Sequence, residues 1–322
     1  MTYSITAFDR GTGRWGVAVQ SCVLAVGTRV PMVRAGALSV QAGSPSWYRR
    51  PGAEMLGRGA SAADIVAALA ALPRADVGQF AVVDSNGQAA GHTGGRTTIA
   101  AGHAVGESVV TAANLVQRDG MWNDMMRAYQ SAAGTFEERL LAALAAGEAA
   151  GGDIRGRQSA ALLVSAGRGT GAGRGASAGR DNGTGPDAAG EPVFETDLRV
   201  DDSATPVPEL ARVLAVKQTH DELRRALSDA AAGKWDPAGE RLAAVADDAP
   251  GDFLVTVWTG LALGLAGREA DAAPYLREAA RQNTRLTEYL TREPLLGDPR
   301  IRQSALRLVA GATARPAAEG AC

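Results

Sequence analysis

The sequence predicts a mixed α+β protein, with a core of two β-sheets that carries helices on its outer faces and an all-helical module after it. Over residues 1–205, short alternating apolar runs and helical stretches follow one another as strands, helices, strands, helices and strands. From residue 206 the pattern changes to Ala-, Leu- and Arg-rich segments with helical spacing. We therefore expect units at residues 1–205 and 206–310, followed by a disordered tail at residues 311–322.

The first two strands are predicted to form a hairpin that starts at the second residue. The segments TYSITAFD and RWGVAVQS alternate as half-buried strands do, and a Gly-rich turn at residues 10–13 separates them. Residues 35–43 predict a third strand. A helix is expected at residues 63–72, because Ser61 and Asp64 have the spacing of a capping box in front of an apolar face.

A second hairpin is predicted further along the chain. The runs QFAVVD and QAAGHT flank Asn86-Gly87, and Asn-Gly between alternating runs is a strong hairpin signal. The next predicted elements are strands at residues 98–105 and 108–112 and helices at residues 121–132 and 136–150. Thr135 and Glu138 have capping-box spacing at the start of the last of these helices.

The strands RQSAALLVSA and FETDLRVDD complete the first unit. Residues 167–192 between them are too poor in apolar side chains to offset the entropy of ordering, so a flexible Gly-rich loop is expected there. The C-terminal module is predicted to be helical at residues 209–231, 237–245, 253–266, 270–282 and 286–291.

Composition excludes several classes of function. The formal net charge is −2, so the chain has no basic surplus with which to bind a nucleic-acid backbone. Cys22 and Cys322 stand in unrelated contexts at the two ends of the chain and predict neither a disulfide framework nor a metal site. His92 and His103 lack a third ligand at suitable spacing, so no zinc site is expected. The sequence thus predicts no metal and no cofactor.

Lysine is absent before residue 217, because Lys217 and Lys234 are the only lysines in the chain. Lysine-dependent chemistry is therefore excluded from the first two-thirds of the chain. No segment reaches about 18 uninterrupted apolar residues, and the N-terminus MTYSITAFDRGTG lacks the basic region and apolar core of a signal peptide. We expect a cytoplasmic protein with no membrane partner.

Thr2 is the residue with the most informative chemistry. A small second residue allows the initiator Met to be removed, which leaves a hydroxyl and an α-amine on the same residue. The ordinary pKa of such an amine is about 7.7 to 8.0, so at neutral pH it can accept the proton of the hydroxyl and activate it as a nucleophile. The alternative is that Thr2 only begins a strand.

Two further residues are predicted to assist Thr2. The hairpin brings Gln20 and Ser21 opposite Thr2, where Ser21 would orient the amine or, alternatively, cap a turn. Asn114 follows the apolar run SVVTAA, and its side-chain amide is suited to hold the oxyanion of an acyl-transfer reaction. Backbone N–H groups of a Gly-bearing segment are alternative donors, and a turn or helix start is the structural alternative for Asn114.

Four polar residues lie close together between a predicted helix and strand, namely Asp153, Arg155, Arg157 and Gln158. They form either a substrate clamp, with an arginine fork around a carboxylate, or an internal ion-pair network at the corner, which is favoured. Gln41 either lines the pocket or terminates the third strand. A serine hydrolase based on Ser21 or Ser159 has little support, because the sequence contains no G-x-S-x-G motif.

Several segments resemble a bacterial and archaeal family, domain of unknown function 1028 (DUF1028), over roughly residues 1–215. They are MTYSITAFD, GVAVQS, AVGTRVP, RAGALSVQAG, TFEERLLAALAAGEAAGGDIRGRQSAALLV and DLRVDD. That family is placed in the N-terminal nucleophile (Ntn) hydrolase superfamily. The resemblance implies a four-layer αββα sandwich, an active site at one end of it, and amide hydrolysis through an acyl-enzyme on Thr2.

The C-terminal stretch AAPYLREAARQNTRLTEYLTREPLL more faintly resembles a peptidoglycan-binding module that is attached to some family members.

The chain also departs from the family pattern. Ser203 follows RVDD where members usually have a histidine, and the loop at residues 167–192 is longer than usual. In proteasome-like Ntn enzymes a lysine near the threonine assists proton transfer. Without such a lysine, we expect the base to be the terminal amine or a bound water.

The sequence therefore favours an amidohydrolase that acts on a small amide or cyclic amide. Its predicted catalytic residues are Thr2, Ser21 and Asn114, and its predicted substrate-binding residues are Gln41, Asp153, Arg157 and Gln158. Loops at residues 45–51 and 114–123 are expected to form the rim of the site. The alternative is a non-catalytic protein that uses the same fold to bind a metabolite or another protein. The extended faces of an Ala- and Gly-rich sandwich also predict a homo-oligomer.

Overall fold

The structure is a computed structural model that describes residues 2–43, 45–166 and 194–314. The chain divides into two compact units, Met1–Leu214 and Ala215–Cys322. The first unit holds the described strands, in two sheets, and the second is helical, so the protein is a mixed α+β protein with a helical C-terminal part. The predicted loop at residues 167–192 lies outside the described residues. No helix in the described part of the chain is long and apolar enough to cross a membrane.

The strands of the described residues all lie in the first unit. In chain order they are β1 (Thr2–Asp9), β2 (Arg14–Ser21), β3 (Pro31–Arg34), β4 (Gly36–Gln41), β5 (Gln79–Val83), β6 (Ala89–Thr93), β7 (Gly102–Gly106), β8 (Val109–Asn114), β9 (Ser159–Ala166) and β10 (Phe194–Val200). The six-stranded sheet has the order β10-β9-β2-β1-β8-β7, and the four-stranded sheet has the order β3-β4-β5-β6. Neighbouring strands are antiparallel throughout.

The helices of the described residues fall into two groups along the chain. Those before residue 205 are α1 (Pro45–Gly57), α2 (Ala62–Ala70), α3 (Met121–Ser131) and α4 (Phe136–Ala149). Those after it are α5 (Pro206–Ala231), α6 (Trp235–Ala246), α7 (Phe253–Leu265), α8 (Glu269–Gln282), α9 (Leu286–Arg292) and α10 (Pro299–Thr313).

Three apolar clusters hold the first unit together. One lies between the six-stranded sheet and helices α3 and α4, where Ile5 packs with Met125 and Leu144. A second joins the two sheets and includes Val17 of β2 and Val83 of β5. The third lies between the four-stranded sheet and helices α1 and α2 and includes Leu38, Val40, Tyr48, Ile65, Leu69, Phe80 and Val82. Helices α3 and α4 thus pack against the six-stranded sheet, and helices α1 and α2 pack against the four-stranded sheet.

A close helix-to-sheet approach depends on one glycine in β2. A Cβ atom at Gly16 would lie 2.6 Å from a methyl carbon of Leu140 and 2.9 Å from the ring of Phe136, both on α4. Such distances are shorter than van der Waals contact, so any larger residue at this position would push α4 away from the sheet.

The first two strands occur as the sequence predicts. The pairing of Tyr3 with Gln20 and of Asp9 with Arg14 fixes the hairpin register. Both predicted helix caps are also present. Ser61 accepts a hydrogen bond from the Asp64 N–H at 3.1 Å, and Thr135 and Glu138 form a reciprocal capping box.

Three local predictions were wrong or incomplete. The expected rim loop at residues 45–51 is part of α1, because Tyr48 and Leu56 are buried against the four-stranded sheet and stabilise a helix that contains Pro51. Strand β3 and helix α10 were not predicted. Strand β3 has only four residues, and α10 extends past the position at which the helical module was expected to end.

The second unit has a core of its own. The C-terminal part of α5 and helices α6 to α10 surround the buried side chains of Trp258, Leu261, Leu276 and Leu290. The Trp258 indole N–H donates a hydrogen bond of 3.0 Å to the Tyr289 hydroxyl. A cavity of about 770 Å³ lies among α7, α8 and α10.

Candidate functional site

Thr2 is the first residue of β1, near the middle of the six-stranded sheet. Because side chains alternate along a strand, Thr2, Ser4 and Thr6 face the other sheet, whereas Tyr3 and Ile5 face the helices. Ser4 and Thr6 both reach Ser39 of β4, with hydroxyl-to-hydroxyl distances of 3.1 Å. The Thr2 hydroxyl therefore stands at one end of a row of hydroxyls between the two sheets.

The Thr2 hydroxyl contacts a second hydroxyl on the neighbouring strand. Its Oγ1 donates a hydrogen bond of 3.2 Å to Oγ of Ser21, the last residue of β2, as the hairpin register predicts. Both residues are buried. The backbone oxygen of Ser21 accepts a hydrogen bond of 3.1 Å from the Gln158 N–H, which fixes the end of the strand. The arrangement places an oxygen acceptor beside the proton that a nucleophilic Thr2 would lose.

Asn114 lies on the other side of Thr2. It is the last residue of β8, and the antiparallel register pairs it directly with Thr2. Its Nδ2 donates a hydrogen bond of 3.0 Å to Oε1 of Gln79. An amide nitrogen carries two hydrogens, so one N–H of Asn114 is used by Gln79 and the other remains for a further acceptor.

Gln79 connects Asn114 with Gln41. Its Oε1 also accepts a hydrogen bond of 2.6 Å from Nε2 of Gln41, which in turn donates to the Thr2 backbone oxygen at 3.3 Å. Nε2 of Gln79 donates to the backbone oxygens of Ala113 and Gly102, both at 3.0 Å. We call Gln41, Gln79 and Asn114 the cavity-side cluster. All three side chains are buried, and their hydrogen bonds hold them in fixed orientations around Thr2.

The backbone turns sharply after two members of this cluster. Ala42, which follows Gln41, has a φ of 57°, and Leu115, which follows Asn114, has a φ of 55°. Non-glycine residues seldom adopt this left-handed region, and such strained positions concentrate at functional sites. Both turns redirect the chain at the ends of their strands.

A cavity of about 450 Å³ opens at this end of the two sheets. Thr2, Ser21, Gln41 and Asn114 all line it. Its volume lies in the range of small-molecule sites, about 300 to 1,000 Å³. The Gly-bearing segment Ala42-Gly43 also borders the cavity. Its backbone N–H groups are therefore alternative donors to the oxyanion, as the sequence analysis allowed.

The charged residues among the described lining residues are all arginines, namely Arg29, Arg96 and Arg155. Arg96 forms an ion pair of 2.9 Å with Asp76, and Arg155 one of 3.3 Å with Asp153. Neither aspartate lines the cavity. The wall therefore presents positive charge to anything bound inside.

Asp153, Arg157 and Gln158 are not among the described residues that line the cavity. Asp153 accepts the Cys22 N–H at 3.2 Å and the Arg155 N–H at 2.8 Å, while Arg157 pairs with Glu148 at 2.7 Å. The Gln158 side chain donates to Asp202 at 3.2 Å. These contacts join protein groups to one another at the helix-to-strand corner. A role in substrate binding stays a prediction for all three residues.

The other nucleophile candidates have different surroundings. Ser159 Oγ donates to the Val23 backbone oxygen at 2.5 Å and accepts the Val26 N–H at 3.0 Å, so the backbone occupies it on both sides. Burial, followed by the nearby Asp153 carboxylate, raises the pKa of the Cys22 thiol, which disfavours a reactive thiolate. Neither group resembles an activated nucleophile.

The two histidines of the first unit take part in packing between elements. His92 contacts the Ala75 backbone oxygen at 3.1 Å, and Nδ1 of His103 lies 2.8 Å from the Thr93 hydroxyl. Burial, with a smaller effect of His92, lowers the pKa of His103. In the part of the chain that the structure describes, no group of three or more His, Cys, Asp or Glu residues is arranged to hold a metal ion.

Sequence reasoning missed Gln79, Arg29 and Arg96. Gln79 begins a strand of the four-stranded sheet, and only the packing of the two sheets brings it to Asn114. Arg29 and Arg96 lie in connecting segments, and although Arg29 falls within AVGTRVP, the resemblance assigned no role to it. No local signal identifies any of the three.

Comparison with known proteins identifies the family to which the first unit is similar. A family described as a family of unknown function (DUF1028) matches residues 2–210. Among solved structures, the chain is similar to a Silicibacter pomeroyi protein assigned to DUF1028, with 27% sequence identity and a TM-score of 0.54. That similarity covers 66% of this chain and 87% of the other chain. No curated protein matches the chain.

Proposed function

The chain belongs to the DUF1028 family, a family of unknown function, and we propose that it is an amidohydrolase whose nucleophile is the hydroxyl of Thr2. In this proposal Met1 is removed and Thr2 becomes the N-terminal residue. One observation carries the proposal. The Thr2 hydroxyl lines a cavity of about 450 Å³, bonded to Ser21 on one side and paired in register with Asn114 on the other.

We also propose that the first unit has the four-layer αββα architecture of the Ntn hydrolases. The packing order of helices, sheet, sheet and helices supports this, because each layer boundary has its own apolar cluster. The position of the cavity supports it too, since Thr2, Gln41 and Asn114 lie at strand ends on one side of the unit. Because fold alone does not decide function, the functional part rests on the chemistry of Thr2.

The proposed acylation step uses groups that already surround Thr2. The α-amine takes the proton from the Thr2 hydroxyl as Oγ1 bonds to the amide carbonyl carbon of the substrate. The carbonyl oxygen becomes an oxyanion, which the remaining N–H of Asn114 stabilises. The C–N bond then breaks, the proton passes to the leaving nitrogen, and the acyl group stays on Thr2 as an ester.

Hydrolysis of the ester completes the proposed cycle. A water molecule gives a proton to the α-amine and bonds to the ester carbonyl carbon, and Asn114 again stabilises the oxyanion. The C–O bond to Thr2 breaks, and Oγ1 recovers the proton. Ser21 has a positioning role in this scheme, because its Oγ lies 3.2 Å from Oγ1 of Thr2 and restrains the position of that oxygen. No lysine precedes residue 217, so the terminal amine is the base in this scheme.

Two mass-spectrometric measurements test the proposal. The intact mass of the purified chain is expected to show loss of Met1. Incubation with β-propiolactone, whose ring an activated hydroxyl opens, is expected to add one acyl group that peptide mapping places on Thr2. The Thr2→Ala variant should lose this adduct, whereas Thr6→Ala, which removes a hydroxyl from the same face of β1 outside the cavity lining, should keep it.

Retention of Met1 in the purified protein would contradict the mechanism outright. An adduct that forms equally on Thr2→Ala would contradict the assignment of the nucleophile. A protein that binds a metabolite without chemistry would yield no adduct on Thr2. Thermal unfolding of each variant checks that the fold is intact.

A further inference from the structure

We infer that the cavity at Thr2 takes a small amide that carries both an N–H donor beside its carbonyl group and a carboxylate. Cyclic amides with a carboxylate and N-acyl amino acids belong to this class. The inference rests on the proposed function, because it names the substrate class of the same site. It is drawn from two independent features of the cavity wall, an unpaired amide oxygen and an excess of positive charge.

The orientation of the Gln79 amide is fixed by its neighbours. Its nitrogen lies 3.0 Å from the backbone oxygens of both Gly102 and Ala113, and carbonyl oxygens only accept hydrogen bonds. The NH₂ group of Gln79 must therefore point toward these carbonyls. Its Oε1 is left to face Gln41 and Asn114, which must both offer N–H groups to it.

This orientation determines which polar atom of Gln41, a residue of the cavity lining, is left without a partner. Its nitrogen is committed to Gln79 at 2.6 Å and to the Thr2 backbone oxygen at 3.3 Å. Its Oε1 is buried and has no hydrogen-bond partner among the described residues, while the residue itself is 1% exposed and lines the cavity. A buried acceptor without a donor destabilises the protein. A bound N–H group would remove this cost, whereas a ligand with only acceptors would increase it.

The charged residues of the cavity wall favour a carboxylate as the second group of the substrate. Arg29, Arg96 and Arg155 line the cavity, and none of its described lining residues is acidic. Asp76 and Asp153 partly neutralise Arg96 and Arg155 from outside the lining. For Arg29, no carboxylate among the described residues lies within ion-pair distance. A concave wall whose charges share one sign concentrates the electrostatic potential, so an anionic group is favoured inside the cavity. A carboxylate matches the paired N–H donors of a guanidinium group.

Three ring compounds of similar size test the two features separately. Pyroglutamate has the lactam N–H and the carboxylate, 2-pyrrolidone lacks the carboxylate, and 5-oxotetrahydrofuran-2-carboxylate has a ring oxygen in place of the N–H. Dissociation constants are measured by NMR titration on the full-length Thr2→Ala variant, which has no nucleophile and cannot turn the probes over. We expect pyroglutamate to bind at least about tenfold more tightly than either of the others.

Variants then assign each preference to a residue. Gln41→Met should abolish the difference between lactam and lactone, and Arg29→Gln should abolish the difference between pyroglutamate and 2-pyrrolidone. Gln20→Met is the matched control, because Gln20 is a buried glutamine with an unpartnered oxygen that does not line the cavity. It should change neither ratio.

The inference is overturned if pyroglutamate does not bind, or if the lactone carboxylate binds as tightly as the lactam. It is also overturned if Gln41→Met leaves the ratio unchanged and shifts the pKa of the terminal amine instead, since Gln41 would then serve the amine. These measurements do not depend on acylation. An absent adduct on the native protein would therefore count against the proposed function alone, and an absent N–H preference against the substrate class alone.

Discussion

Two sets of polar side chains in the first unit, one beside the cavity and one beside helix α4, differ in how many of their buried polar atoms have hydrogen-bond partners. In the cavity-side cluster, hydrogen bonds of 2.6 and 3.0 Å join Gln41 and Asn114 to Gln79. The helix-side cluster consists of Tyr3 and Gln20 of the six-stranded sheet and Glu148 of α4. There the Tyr3 hydroxyl, both polar atoms of the Gln20 side chain and Oε2 of Glu148 have no hydrogen-bond partner among the described residues.

The cavity-side cluster is preorganised by its hydrogen bonds, whereas the helix-side cluster is not. Mutual hydrogen bonds fix the orientation of each amide in the cavity-side cluster, and such preorganised dipoles are what stabilise developing charge in catalysis. The helix-side polar atoms named above form no hydrogen bonds with one another, and a buried polar group without a partner contributes little to stability. We therefore expect substitutions on the cavity side to cost activity or stability and those on the helix side to cost little of either.

The largest effect is expected for Asn114→Ala. This change removes the N–H that is proposed to hold the oxyanion, and loss of one such donor lowers kcat by about 10²- to 10³-fold in acyl-transfer enzymes. The measurement is steady-state turnover of an amide that acylates the native protein, with KM expected to change far less than kcat. Asn123→Ala, at an exposed position of α3, is the matched control and should retain native turnover. An unchanged kcat in Asn114→Ala would remove Asn114 from the mechanism.

The next effect concerns stability. Gln79→Met leaves the side-chain amides of Gln41 and Asn114 and the backbone oxygen of Ala113 without their partner. We expect the free energy of unfolding to fall by about 2 to 4 kcal/mol, because several buried polar groups lose hydrogen bonds at once. Gln20→Met, the same replacement in the helix-side cluster, should not lower it by more than about 1 kcal/mol, because the two polar atoms that it removes have no hydrogen-bond partner among the described residues. Urea denaturation measures both, and equal losses would mean that the two clusters do not differ.

The two clusters also differ in how far the sequence could predict them. The contact between Thr2 and Ser21 was predictable because a short turn sets the register of a hairpin. Asn114 was predicted from its chemistry, but its place beside Thr2 depends on the pairing of β1 with β8, which are distant in sequence. Gln79 comes from the other sheet, so only sheet-to-sheet packing could reveal it.

The same reasoning explains the errors in local structure. Pro45 and Pro51 are turn residues by local rules, and the sequence around them was therefore interpreted as a loop. In the structure, burial of Tyr48 and Leu56 stabilises α1 in spite of Pro51. Local propensity is a weak indicator wherever tertiary packing contributes more free energy. The hairpins and capped helices were predictable because their signals lie within a few residues of each other.

The smallest effect at neutral pH, and one with a distinct pH dependence, is expected for Tyr3→Phe. The Tyr3 hydroxyl has no hydrogen-bond partner among the described residues, so its removal should change the free energy of unfolding by less than about 1 kcal/mol at pH 7.

Burial, followed by the Glu148 carboxylate, raises the pKa of Tyr3 far above its ordinary value of 10.0. Above about pH 10 the unfolded chain therefore loses this proton while the folded chain keeps it, and native stability falls by about 1.4 kcal/mol per pH unit from this residue. The phenylalanine variant lacks that loss, so it should be more stable than the native protein by about 1.4 kcal/mol at pH 11 relative to their difference at pH 7. Denaturant unfolding of the two proteins at both pH values measures the difference, from which the other tyrosines cancel. A large loss of stability in Tyr3→Phe at pH 7 would show that the helix-side hydroxyl is as well satisfied as the amides on the cavity side. No relative gain at pH 11 would show that Tyr3 ionises in the folded protein as readily as in the unfolded chain.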